Sequence, residues 1–173
     1  MNGNLPRPTN RNQTERNFMK HDDFIREAVR ISRENMEDGG GPFGAVIVKD
    51  GRIVARTGNR VATDNDPTAH AEIKAIRLAS ERLNTFDLSG CVLYSSCEPC
   101  PMCLGAIYWA RLEGVWFAAD REDAAYAGFD DSFIYREISK PLEERSIPTH
   151  QHLRDEAVKA FEEWIDKEDK IQY

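Results

Sequence analysis

Two short segments constrain this chain more than any other feature: His70-Ala71-Glu72 and, further on, Cys97-Glu98-Pro99-Cys100-Pro101-Met102-Cys103. Imidazole nitrogen and thiolate sulfur are the donors zinc takes, and a zinc site that does chemistry keeps one position open for water. His70, Cys100 and Cys103 supply three such donors, and the Glu72 carboxylate stands two residues from the first. Whatever the fold, it has to bring these two segments together.

The hydropathy pattern places both segments at helix starts. Residues 22–36 carry Phe24, Ile25, Ala28, Val29, Ile31 and Met36 at helical spacing, and the Gly39-Gly40-Gly41-Pro42 run ends that helix. Residues 45–48 form a short apolar run, Asp50-Gly51 is a two-residue hairpin signal, and Ile53-Val54-Ala55 is the return strand. A polar loop over 58–68 leads to a helix over 69–83, with Thr68 as its expected N-cap. A buried strand follows at 91–94. Pro99 and Pro101 suit the start of a helix that continues to 111. A strand over 115–119 and a short helix over 122–127 come next. Residues 129–150 read as irregular, with a strand near Ile147. A final helix over 153–170 turns Ala157, Ala160, Phe161, Trp164 and Ile165 inward. The sum is an α/β domain, a mixed sheet with helices on both faces. Ligands in such sheets bind at strand carboxyl ends and helix N-termini, where the helix dipole favours thiolates.

The remaining composition narrows the class. Residues 1–20, rich in Asn, Pro, Arg and Thr, read as a disordered arm, residues 21–150 as one domain, and 151–173 as a helical tail. No apolar run reaches the roughly 18 residues of a membrane span, and no apolar signal-peptide core stands near the start. The expectation is a cytoplasmic protein that touches no membrane. Three cysteines this close point to a metal or a redox role rather than to disulfides. Net charge is −7 and the isoelectric point about 5.2. Nucleic-acid binders normally carry a basic patch, so a small uncharged substrate is expected.

Zinc lowers the pKa of bound water from about 15.7 to about 7. A carboxylate at Glu72 beside that water can carry protons to a ring nitrogen and to a departing amine, which are the steps of hydrolytic deamination. Backbone groups near Ala71 would fix the base. Other readings of the same residues stay open. Cys97 as a fourth ligand would give a closed structural site. Cys-x2-Cys-x2-Cys also opens an iron–sulfur run, although Cys91, the only other cysteine, lies upstream. A zinc-stabilised binding module without activity is the alternative from another class.

His-x-Glu…Pro-Cys-x-x-Cys is the signature of the zinc-dependent nucleobase and nucleoside deaminases. The stretch 40–135 resembles the bacterial guanine deaminases of the cytidine-deaminase superfamily. The resemblance lies in Gly40-Gly41-Pro42-Phe43-Gly44-Ala45-Val46, in Asp66-Pro67-Thr68-Ala69-His70-Ala71-Glu72, and in Ser96-Cys97-Glu98-Pro99-Cys100-Pro101-Met102-Cys103. These are shared in looser form by tRNA adenosine deaminases. Ala106-Ile107-Tyr108-Trp109-Ala110-Arg111 also matches. Gly128-Phe129-Asp130-Asp131-Ser132-Phe133-Ile134-Tyr135 and a C-terminal helix ending in Tyr173 look more like guanine deaminase.

The resemblance implies a three-layer α/β/α sandwich, cytidine-deaminase-like, with one zinc per chain on His70, Cys100 and Cys103 and Glu72 as proton shuttle. It implies that Phe43 and Trp109 enclose a purine, that Asn59 hydrogen-bonds it, and that Asp131 meets the amine side. It also implies a homodimer in which the C-terminal segment crosses over and Tyr173 covers the partner's bound base. Read without the resemblance, Phe43 and Trp109 fit a core, Asn59 a turn after Gly58, and Asp131 a cap on its own turn. Rival substrates are tRNA adenosine, cytosine and guanosine.

Overall fold

The computed structural model describes residues 20–172. The arm expected over 1–20 therefore lies, apart from Lys20, outside the described residues, as does Tyr173. In chain order the elements are α1 (His21–Glu37), β1 (Gly41–Lys49), β2 (Arg52–Asn59), α2 (Val61–Asp64), α3 (Ala71–Leu83), β3 (Cys91–Cys97) and α4 (Pro101–Trp109). Then come β4 (Gly114–Ala119), α5 (Arg121–Tyr126), α6 (Ser132–Ile138), a 3₁₀ turn at Leu142–Glu144, and α7 (Arg154–Asp166).

Both faces of β1 are apolar, so the strand is buried on both sides. Val46 and Val48 face α1 and pack with Phe24 and Tyr94. Ala45 and Ile47 face the other way, into the cluster with Ala71, Ala75, Ala79, Leu93 and Ile107 of α3, β3 and α4. This alternation produces three layers: α1, the sheet, then α3 with α4. The sheet runs β2-β1-β3-β4. Its first pairs are antiparallel, and β3 with β4 is parallel, joined by the α4 crossover. The hairpin turns on Asp50 and Gly51, both at positive φ as a two-residue turn of this kind requires. The mixed sheet with helices on both faces is as expected from the sequence.

Four local expectations are corrected. The polar loop after β2 contains the short helix α2. Thr68 does not cap α3; its amide and hydroxyl both bond Asp66 Oδ1, at 2.8 and 2.7 Å, and His70 is the N-cap residue. Residues 129–150 hold helix α6 and a 3₁₀ turn, and no strand forms at Ile147. Helix α7 is shorter than expected and buries no side chain: Phe161 is 68% and Ile165 66% exposed. No helix among the described residues is long and apolar enough to cross a membrane.

Candidate active site

Strand β3 ends at Cys97, and four residues later α4 begins with Pro101 in its first turn. Proline suits that position: its ring fixes a helical φ, and its missing N–H would have no partner there in any case. Cys100 is the N-cap and Cys103 sits in the first turn. His70 is the N-cap of α3, which puts Glu72 in the first turn of that helix. The packing of α3 beside α4 on one face of the sheet thus aims two helix starts at one point. His70 Nδ1 lies 3.5 Å from each of Cys100 Sγ and Cys103 Sγ, and the two sulfurs are 3.6 Å apart.

This near-equilateral triangle fits zinc. Tetrahedral bonds of roughly 2.3 Å to sulfur and 2.0–2.1 Å to nitrogen put the donors about 3.8 and about 3.6 Å apart. The proton chemistry fits as well. The hydrogen bond with Cys103, opposed by burial and helped by His70, holds the Cys100 thiol down at about 4. Cys103 is pushed far upward in turn, first by that bond to Cys100 and then by burial and the Glu72 charge. One thiolate forms readily, and the second requires a cation beside it. Cys97 donates instead to the Asp120 carbonyl at 3.5 Å, and burial raises its thiol to about 11. The donor cluster among the described residues is His70, Cys100 and Cys103 without it.

Glu72 is 5% exposed. Its Oε1 accepts from Ser95 Oγ at 3.2 Å and its Oε2 from Cys103 Sγ at 3.5 Å. Burial raises its pKa above the ordinary carboxylate value, which suits a group that takes up and releases protons. A cavity of about 220 Å³ opens above these residues. Phe43, Asn59, Val61, Arg121, Ala124, Phe129 and Asp131 line it as well. Phe43 and Phe129 meet edge to face at 4.9 Å between centroids. Such a pair gives the cavity an apolar aromatic side.

Most of the residues singled out in the sequence converge here. Phe43, Asn59, His70, Glu72, Cys100 and Asp131 line the cavity, and Cys103 completes the triangle beneath it. Asp131 does not cap its turn: Asp130 Oδ1 takes the Ser132 amide at 2.9 Å, and Asp131 makes no capping bond. Burial raises the Asp131 pKa. Ala71 is fully buried between two lining residues, with its carbonyl accepting from Thr57 Oγ1 at 2.6 Å. Trp109 is not brought in; it is 69% exposed at the end of α4 and borders a separate groove with Phe161 and Trp164. Sequence reasoning missed Ser95, Phe129 and Arg121. Phe129 carried a signal, as an aromatic straight after a glycine in the resembling segment. Ser95 carried none.

Comparison with known proteins agrees with this geometry. Residues 19–119 match the cytidine and deoxycytidylate deaminase zinc-binding region. The chain is 56% identical to the guanine deaminase of Bacillus subtilis, over 90% of this chain and 100% of that one. The crystal structure of that protein superposes with a TM-score of 0.87. A protein solved in complex with 2,6-diaminopurine is 35% identical, with a TM-score of 0.63 over 65% of this chain and 63% of that one. A tRNA-specific adenosine deaminase of Aquifex aeolicus is 47% identical over 56% of this chain and 64% of its own length. The chain belongs to the zinc-binding cytidine and deoxycytidylate deaminase family, and it is similar over 90% of its length to the Bacillus subtilis guanine deaminase.

Proposed function

We propose that the chain is a zinc-dependent guanine deaminase, converting guanine and water to xanthine and ammonia. The observation that carries this reading is the convergence, in one cavity, of the His70–Cys100–Cys103 triangle, the buried Glu72, the Phe43–Phe129 aromatic pair and the Asp131 carboxylate, which makes no capping bond. Likeness to the Bacillus subtilis enzyme along the whole of its length supports the same substrate. The cavity is smaller than the roughly 300–1,000 Å³ of sites for drug-sized ligands, the scale of a free base rather than a nucleotide.

His70 Nδ1 and the Sγ atoms of Cys100 and Cys103 would hold one zinc ion per chain. Bound there, zinc lowers the pKa of water to about 7 and makes it a nucleophile at neutral pH. Glu72 moves both protons of the attacking water. The first goes to ring nitrogen N3 of guanine as the C2–O bond forms. The second goes to the 2-amino group, which leaves as ammonia when its bond to C2 breaks, and xanthine keeps the hydrogen on N3. Asp131 accepts hydrogen bonds from the amine side and the adjacent ring N–H. Adenine offers no ring N–H on that edge, which favours guanine. Phe43 and Phe129 give the base an apolar surface to pack on, and Asn59 donates to its edge.

The helix α7 completes the reading. Its apolar face and Trp109 are exposed on this chain, and a second copy that covers them makes a homodimer. The C-terminal segment then crosses over, and Tyr173 closes the partner's cavity and excludes water. Small purines are the partners; nucleic acid is not, in keeping with the net charge of −7.

Ammonia release from guanine, adenine, cytosine, guanosine and a tRNA anticodon stem tests the substrate. Guanine is expected to be fastest, and faster turnover of the tRNA overturns the assignment. Mixed dimers of a Glu72→Gln chain with a Tyr173-deleted chain, each inactive alone, should regain activity in one hybrid site. No recovery in verified mixed dimers would show that Tyr173 does not act across subunits.

A further inference from the structure

We propose that Asn35, on α1 and outside the cavity, is a positioning residue for the substrate: it fixes the end of β2 so that the Asn59 carboxamide faces the base. The inference rests on the guanine reading above.

Asn35 is 7% exposed. Asparagine is a poor helix former, and a buried carboxamide is destabilising unless its hydrogen bonds are made. Here they are made to the ends of two strands. Nδ2 donates to the carbonyls of Gly41 and Asn59, each at 2.7 Å. Two carbonyls so close require the nitrogen on that side, so the partners fix the amide orientation. The backbone carbonyl of Asn35 also accepts from Gly40 N–H at 2.8 Å.

Gly41 and Asn59 face each other across the β1–β2 ladder, but an irregularity between Gly41 and Gly44 separates this pair from the regular register. The ladder is interrupted just inside this pair, and Asn35 ties the two ends together. The seat is tight. A Cβ on Gly58 would come within 2.2 Å of Asn35 Oδ1, and one on Gly40 within 2.3 Å of Nδ2. Only glycine at both positions lets the Asn35 side chain reach the strands.

Asn59 then carries the effect into the cavity. It is 8% exposed, and its Oδ1 accepts from Val61 N–H at 3.2 Å. Its side chain makes no other hydrogen bond among the described residues, so the amide N–H groups remain for a ligand acceptor in the cavity that Asn59 lines. A shift of the Asn59 backbone moves those donors off the base. It reaches the zinc triangle less directly: the cysteines are held by α4, and His70 begins α3, with its neighbour Ala69 accepting from Arg60 N–H at 2.9 Å.

The experiment is a double-mutant cycle on zinc-loaded protein: wild type, Asn35→Ala, Asn59→Ala and the double variant, with kcat and KM for guanine and a thermal melt for each. Loss of about one hydrogen bond's worth of alignment, some 1.4 kcal/mol, predicts a KM about tenfold higher for Asn35→Ala with kcat much less changed. In the Asn59→Ala background the second substitution should raise KM no further, while still lowering the melting temperature. Asn35→Ser retains one donor; it should show a smaller rise in KM, and it replaces alanine in the cycle should Asn35→Ala not fold. An unchanged KM, or KM increases that multiply in the double variant, overturns the role of Asn35. Wild-type protein that is active on another base and inert toward guanine overturns the substrate reading, and this inference with it.

Discussion

Ser95→Ala removes a single oxygen from the interior and tests whether Glu72 works by being held in place. Ser95 is 1% exposed. Its hydroxyl donates to Glu72 Oε1 at 3.2 Å and receives the Cys97 amide at 3.4 Å. Hydrogen bonds to charged groups contribute about 1.5–3 kcal/mol. At 3.2 Å this bond is longer than the usual 2.7–2.8 Å for O–H···O, so the low end, about 1.5 kcal/mol, applies. If that energy holds the carboxylate in its working orientation, kcat falls about tenfold. The same loss lowers the melting temperature by roughly 3–6 °C for a protein of this size. The assay is guanine turnover followed by ultraviolet absorbance, with zinc content and a melt on the same preparation. A folded, zinc-replete Ser95→Ala with wild-type kcat would refute the reasoning. It would mean that Glu72 is oriented by the metal site and substrate alone.

Further outcomes follow from other parts of the site and the fold. Cys100→Ala should lose zinc by metal analysis and Cys97→Ala should keep it, since Cys97 is bonded to the Asp120 carbonyl. Zinc lost from the Cys97 variant would mean that the ligand set is wrong. Asp131→Asn should lose about tenfold or more in kcat/KM for guanine, as a charge-assisted hydrogen bond does. Its melting temperature should hardly move, because Asp131 makes no capping bond. Glu27 pairs with Arg30 within α1 and links α1 to β2 through Arg56; the Arg30 hydrogen bonds, and then Arg56, hold its carboxyl at about 2 instead of 4.5. A depressed carboxylate stabilises the fold fully above the unfolded value near 4.5 and progressively less as pH falls toward 2. The nominal linkage of about 3 kcal/mol shrinks to about 1, because both arginines are half exposed to solvent. In urea titrations Glu27→Gln should therefore be about 1 kcal/mol less stable than wild type at pH 7, and the gap should close between pH 4 and 2. A gap that is constant with pH would show that the ion pairs are not its source.

The parts of this molecule legible in its sequence are those whose cause is local. Donor type and spacing marked His70, Cys100 and Cys103, and Pro101 marked the helix start that positions two of them. Alternating and helical periodicities gave the hairpin and the helices of the core. What the sequence hid depends on contacts distant along the chain or on competition between neighbours. Thr68 is an ordinary N-cap residue, but Asp66 takes both of its donors first. Adjacent Asp130 and Asp131 are chemically equal, and only the fold assigns the capping bond to Asp130 and leaves Asp131 at the cavity. Helix α6 buries no residue, so periodicity carried no trace of it. In α7 the apolar stripe was visible but not what lies against it. Periodicity identifies a face and says nothing of whether its cover comes from the same chain.

The most direct test of the central claim is conversion of guanine to xanthine by three preparations: metal-stripped protein, the same protein restored with one equivalent of zinc, and zinc-loaded Glu72→Gln. Glutamine matches the shape of Glu72 and cannot carry a proton, and general acid–base catalysis contributes roughly 10²–10⁴-fold. The account predicts no turnover without zinc and full activity at one zinc per chain. It further predicts a loss of at least about 10⁴-fold in the Glu72→Gln protein, which still binds zinc and guanine. Guanine turnover by the stripped protein, or near-normal turnover by Glu72→Gln, would contradict it.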